Sequence, residues 1–339
     1  MNRLRLPVQL LILATVAYLG LFLLWPLAHV FENAFRDSRG MTFFYIAGLF
    51  RNPAVREASR NSFLIAVLVT ATTTTIALPL AWLFSRYRFP GKTPLSAVLL
   101  LPMILPPFVS AVGMKILFAR AGAMSTLLMR LGLVSQPVDW FGARPLLGIV
   151  VLEALHLFPI LYLNLTAALA NIDPSLEEAA LNLGAPPSRV FRRITLPLAA
   201  PGLFAGMTLI FVWSFTELGT PLVFGLRRVL PVLIYDGVAE IGSNPAAYAQ
   251  VVFVLLVAAL GFWAGKYATA RHRNVATLGR LSVSRGDLRL GPMATLAVWS
   301  GLAVLIAVAL LPHLSVLLLA VSRRWFLTLW PEGWTTAFI

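Results

Sequence analysis

Residues Pro145 to Ala170 read PLLGIVVLEALHLFPILYLNLTAALA. A helix crosses the hydrocarbon core of a bilayer in about 20 apolar residues. This stretch exceeds that length with one carboxylate, Glu153, and one imidazole, His156. Six comparable runs surround it: roughly Val8 to Val30, Ser62 to Phe84, Leu95 to Phe118, Ala199 to Phe224, Val251 to Tyr267 and Met293 to Val321. Hydrocarbon offers no partner to backbone N–H and C=O groups, so each run must satisfy them internally as a helix. The expected fold class is all-α, a polytopic transmembrane helix bundle.

Composition points the same way. Of 339 residues, 59% are hydrophobic and 12% charged, about half the charged share of an ordinary soluble domain. Lys and Arg outnumber Asp and Glu by 27 to 13, a formal charge of +14. On a soluble chain that balance would suggest nucleic acid. Here the basic residues sit between apolar runs, where they suit anionic lipid and an acidic partner surface instead. The chain has no cysteine, which excludes disulfides, thiolate metal sites and Cys nucleophiles. Its 23 prolines and 23 glycines would interrupt straight spanning helices, and bundles that move substrates tolerate such breaks.

Arg3 and Arg5 ahead of an apolar run would suit a cleaved leader. The run to Val30 is too long for the roughly 7 to 15 residues expected there, and no small-x-small cleavage site follows, so it reads as a retained helix. Basic residues near helix ends set orientation. A cytoplasmic N-terminus places Arg3, Arg5, Arg86 to Lys92, Arg189 to Arg193 and Lys266 to Arg289 inside. The outer segments carry nearly as many, but the inner loops are shorter and their charges abut helix ends, which favours that orientation. The expected organisation is a first helix and outer loop over 1–60, a core module over 61–268, a basic cytoplasmic linker over 269–292, and the start of a second, incomplete module over 293–339. The last rests on an offset that pairs Pro312 with Pro26, Val316 with Val30 and Ala320 with Ala34. On this reading the chain continues past Ile339.

The polar interruption from Asp173 to Pro201 carries the functional signal. Asp173 can cap a helix beginning at Pro174, and Ser175 with Glu178 offers an alternative capping box. Leu176, Ala179, Ala180 and Leu183 fall on one face, and Gly184 followed by Pro186 and Pro187 ends the helix. A second short helix can start at Pro187 or Ser188, with Val190, Phe191 and Ile194 opposite Arg189, Arg192 and Arg193. The expectation is a compact amphipathic helix-turn-helix outside the membrane, fit to dock in a groove of another protein.

Letter by letter, Glu178-Ala179-Ala180, three residues, Gly184, nine residues, Ile194, one residue and Leu196-Pro197 resembles the EAA loop of permease subunits of binding-protein-dependent ABC importers. Asn61-Ser62, Leu101-Pro102 with Pro106-Pro107, and Phe215 with Glu217-Leu218-Gly219-Thr220-Pro221 extend the resemblance across roughly Asn61 to Tyr267. It implies an inner-membrane permease whose loop, through Glu178, Ala179, Ala180, Gly184, Ile194, Leu196 and Pro197, couples to a separate ABC ATPase subunit. It also implies a periplasmic or extracellular solute-binding protein, and ATP bound by the partner rather than by this chain. The tandem layout resembles the fused permeases of the ferric-iron and thiamine group. Ferric iron is therefore the first substrate expected, with thiamine, polyamine or a phosphonate behind it.

Other features carry less. Gly91-Lys92-Thr93 is not a phosphate loop, because Arg86 stands where that pattern needs glycine. The four histidines, His29, His156, His272 and His313, show no metal-ligand spacing, and no nucleophile, base and metal constellation supports catalysis. Glu153 and Glu217 lie in or beside apolar helices, where a carboxylate needs a partner or water. They are candidates for the substrate path or for interhelical bonds, and in an ion-coupled secondary transporter they would be the cation or proton site. His156, one helical step from Glu153, is expected to pair with it or pack. Pro102, Pro106 and Pro107 should kink or break the third helix. The run Thr70 to Thr75 suits hydroxyl back-bonding.

Overall fold

The computed structural model describes residues 6–37, 40–239, 245–273 and 288–337. Arg3, Arg5, Arg280, Arg285, most of the expected linker and Ile339 lie outside them. In chain order the elements are α1 (Leu6–Leu19), a π-helical turn (Gly20–Leu24), α2 (Trp25–Ala34), strands β1 (Arg36–Asp37) and β2 (Gly40–Met41), α3 (Phe44–Arg51), α4 (Pro53–Arg86), β3 (Tyr87–Arg88) and α5 (Lys92–Val98). A 3-10 turn (Leu101–Met103), α6 (Pro107–Phe118), α7 (Ala123–Arg130), α8 (Pro145–Ala170), α9 (Pro174–Asn182), α10 (Pro187–Val190) and a second π turn (Phe191–Thr195) follow. Then come α11 (Leu196–Thr216), α12 (Gly219–Phe224), α13 (Leu230–Ala239), α14 (Pro245–Arg273), β4 (Leu288–Arg289), α15 (Pro292–Ala320), β5 (Ser322–Arg324) and β6 (Glu332–Trp334). Among the described residues, seven helical stretches are long and apolar enough to cross a membrane.

Two of the expected stretches are not single rods. The third is divided into α5, the 3-10 turn and α6, because Pro102, Pro106 and Pro107 lack the N–H groups a continuous helix would use. The fifth stops at Thr216. Glu217 is extended (ψ 126°) and its carboxylate accepts hydrogen bonds from the backbone N–H groups of Gly219 (3.0 Å) and Thr220 (3.2 Å), which starts α12 as a separate helix. Upstream, the short helix expected from Pro187 does not stand apart. It passes through the π turn into α11, giving one helical stretch from Pro187 to Thr216.

The chain forms two compact units. One comprises the residues up to Asn61 with Arg228–Ala259. In it Arg228 pairs with Glu57 at 2.5 Å, Asn61 donates to the Arg228 carbonyl at 2.9 Å, and the Phe50 ring meets Phe253 edge-on.

The other unit comprises Ser62–Arg227 with the residues from Leu260 onward. Its centre is α8, whose most apolar window is 67% buried against 33% or less for the other spans. Ile149, Leu152, Phe158, Leu161 and Leu165 fill the core, and α11 packs along α8. Along α6 lies α15. Their backbones meet at Gly113, where a Cβ would come within 2.1 Å of the Pro312 carbonyl oxygen and 2.4 Å of Ser315 Oγ. One turn away, His313 Nε2 lies 3.0 Å from Ser110 Oγ and 3.1 Å from the Pro102 carbonyl. At the other end of α15, β4 pairs in parallel with β3 and Trp299 covers Gly91. The helix expected to start a second module is thus packed against the first.

Candidate functional site

The loop from Asp173 to Pro201 forms as its residues dictate at both ends of α9. The Asp173 carboxylate accepts from Ser175 N at 2.9 Å, a bond that holds its pKa below the ordinary aspartate value. At the C-terminus Gly184 adopts φ +82°, the left-handed conformation that a side chain disfavours. Gly184 N donates to Leu181 O (2.9 Å) and Ala185 N to Ala180 O (3.0 Å), the paired bonds of a Schellman motif. Pro186 and Pro187 then open α10.

The amphipathicity of α9 is inverted. A helix lying on a bundle normally turns its apolar face inward. Here Leu176 is 48% and Leu183 89% exposed, with Glu178, Ala179 and Gly184 exposed beside them and Ala180 half-buried. The inward position belongs to Glu177, which is buried, accepts from Thr195 Oγ1 at 2.5 Å and pairs with Arg86 at the end of α4. Val190 is buried while Arg189, Arg192 and Arg193 are exposed, and Ile194 and Leu196 are half-buried with Pro197 exposed. Sequence reading had placed Leu176, Ala179, Ala180 and Leu183 together and passed over Glu177. No local signal marks Glu177, because its burial comes from Arg86 and Thr195, both distant in the chain.

The two acidic candidates for a path are separate in role. Glu153 is buried and bonded by the Ser214 hydroxyl of α11, while its Oε1 has no hydrogen-bond partner. Glu217 is half-buried and caps α12. Of the two fates expected for His156, it packs rather than pairing with Glu153: it is buried, and its Nδ1 lies 2.9 Å from the Pro102 carbonyl, one of the acceptors freed by the broken third helix. Lys115 reaches the Val223 carbonyl at the end of α12 (2.8 Å). The hydroxyls of Thr70, Thr74 and Thr75 bond back to carbonyls three or four residues earlier, as expected of such a run.

Comparison with known proteins places these features in context. The molybdenum transport system permease protein of Haemophilus influenzae is 30% identical over 63% of this chain and 93% of its own length. The sulfate transport system permease protein of Salmonella typhimurium is 31% identical over 62% of this chain and 74% of its own. A permease protein assigned by name to a 2-aminoethylphosphonate transport system in Salmonella paratyphi A is 28% identical over 85% and 93%. None of these names mentions iron, so the iron expectation drawn from the tandem layout finds no support among them. A bacterial ABC transporter that imports the acidic polysaccharide alginate has a chain of the same fold, with a TM-score of 0.64 at 19% identity over 79% of this chain and 95% of that one. Matched over residues 45–274 by the family described as the inner membrane component of binding-protein-dependent transport systems, this chain belongs to that family and is a multi-pass ABC importer permease.

Proposed function

We propose that this permease lines the path of an importer for a small tetrahedral oxyanion and is driven through α9 by a separate ATPase. The observation that carries the coupling is the inverted helix, with Leu176, Ala179, Leu183 and Glu178 facing away from the chain that holds them. Covering one fully exposed leucine is worth about 1.5 to 3 kcal/mol, so such a face is a docking surface in want of a groove. Glu178, Ala179, Ala180 and Gly184 make the contact, with Ile194, Leu196 and Pro197 shaping the return into α11. ATP is bound and hydrolysed by the partner, and a solute-binding protein delivers the solute from the other side. This assignment puts the N-terminus and α9 on the cytoplasmic side, with 61–268 as the permease core.

The oxyanion class rests on the relatives, whose names specify molybdenum, sulfate and an aminoethylphosphonate. Molybdate, sulfate and the phosphonate group share a tetrahedral centre ringed by oxygens. Ferric iron, thiamine and polyamines share no such geometry and stand behind it. Glu153 and Glu217 border the path in this proposal.

The test is Glu178→Lys. Binding of the ATPase to the purified permease should fall at least tenfold while membrane insertion is unchanged, and molybdate uptake, measured with sulfate as competitor, should be lost. Unchanged association with full uptake would remove α9 as the coupling element.

A further inference from the structure

Helix α9 is fastened to the permease in an unusual way. Glu177 is its one buried side chain among the described residues. Both carboxylate oxygens are engaged: Oε2 by Arg86, the last residue of α4, and Oε1 by the hydroxyl of Thr195, itself 2% exposed, in the π turn that feeds α11. Apolar packing nearby is incomplete. A groove of about 370 Å³ separates Leu78, Pro79 and Trp82 of α4 from Pro187, Ser188 and Phe191. The rings of Trp82 and Phe191 make an edge-on contact across it.

Apolar contacts are non-directional and let helices slide, whereas a buried, doubly engaged carboxylate has one geometry. A π turn is a frequent accompaniment of functional sites in helices, and here it lies where the third partner of the clamp sits. We propose that Glu177 is the positioning residue that transmits movement of α9 at once to the end of α4 and to the start of α11. Glu178 and its exposed neighbours grip the ATPase; Glu177 passes the displacement inward. The inference rests on α9 being the coupling element, and the residue acts through Arg86 and Thr195 rather than by touching solute or nucleotide.

The experiment uses the full permease assembled with its ATPase in proteoliposomes, comparing ATP hydrolysis with and without the cognate solute-binding protein, purified with its native solute bound. Glu177→Gln keeps the shape and removes the charge that holds Arg86. Co-purification with the ATPase is expected to stay at the parent level, while stimulation by the binding protein falls about tenfold, towards none. Thr195→Val removes one of the two bonds and leaves the ion pair, and should cut stimulation about threefold; it also decides the matter if Glu177→Gln fails to assemble. A double variant, Glu177→Gln with Arg86→Gln, leaves no unpaired charge but restores no clamp, so stimulation should stay low while thermal stability recovers. Parent-like stimulation in an intact Thr195→Val complex or in an intact Glu177→Gln complex would overturn the inference. So would loss of ATPase binding in a folded Glu177→Gln permease, which would place Glu177 in the docking face. Failure of the parent permease itself to bind an ATPase would instead strike the coupling proposal, and the two failures are read from different lanes of the same purification.

Discussion

Replacing Gly113 by alanine tests whether α15 is a working part of the unit on which it lies. The added methyl would sit 2.1 Å from the Pro312 carbonyl oxygen and 2.4 Å from Ser315 Oγ. The first obstacle is backbone, so no side-chain rotation relieves it, and α15 must back away by about an ångström to restore van der Waals separation. Overpacking of this kind costs about 1 to 3 kcal/mol. The retreat also stretches the His313 contacts to Ser110 (3.0 Å) and to the Pro102 carbonyl (3.1 Å), each worth about 0.5 to 1.5 kcal/mol. At about 2 kcal/mol or more, local opening of α15 becomes roughly 30-fold more populated. Leu302, 3% exposed on the same face of α15, is the reporter. In this cysteine-free chain, Leu302→Cys gives one buried thiol, and maleimide should modify it at least tenfold faster when Gly113→Ala is added. An unchanged rate, together with an unchanged Tm of the permease, would refute the close approach of the two backbones and the packing of α15 that rests on it.

Three further outcomes are expected. Gly184→Ala meets no neighbouring atom but forces a side chain into the left-handed region, at about 1 kcal/mol; hydrogen exchange over Leu181 to Ala185 should speed up about fivefold, with Gly184→Asn milder. Ser214→Ala leaves Glu153 buried with neither oxygen bonded, at about 1 to 3 kcal/mol; Tm should drop in the permease as purified, and Glu153→Gln alone, which can still bond Ser214, should drop it less. Ser188→Cys, exposed on α10, should resist an impermeant thiol reagent in intact cells and react in inverted vesicles; labelling from outside would reverse the proposed orientation.

Hydrophobic runs made the spans legible, and the stretch from Pro145 to Ala170 is bounded in the structure as its sequence suggests. The ends of α9 were equally readable, because Asp173 as a cap and Gly184 as a stop are local chemistry. What escaped the sequence depends on direction and on distant partners. The apolar run to Phe224 looked continuous, yet the Glu217 carboxylate captures the N–H groups of Gly219 and Thr220 and restarts the helix. Periodicity grouped Leu176 with Leu183 but gave no sign of which way they point. That depends on Arg86, far away in the chain, drawing Glu177 inward. His156 was read against its near neighbour Glu153, while its partner is a carbonyl exposed by a break in another helix.

The continuity of α10, the π turn and α11 makes a rod of 30 residues from Pro187 to Thr216. At 1.5 Å per residue that is about 45 Å long, the full depth of a membrane with its headgroups. Pivoted at the end beside the Schellman turn, a swing of about 5° carries Thr216 through about 4 Å, more than the diameter of a water molecule. Thr216, at the far end, is followed directly by Glu217 and the capped start of α12, whose last turn is held by Lys115 of α6. A few degrees of tilt begun beside α9 are thereby enough to open or shut a water-wide gap on the opposite side of the membrane.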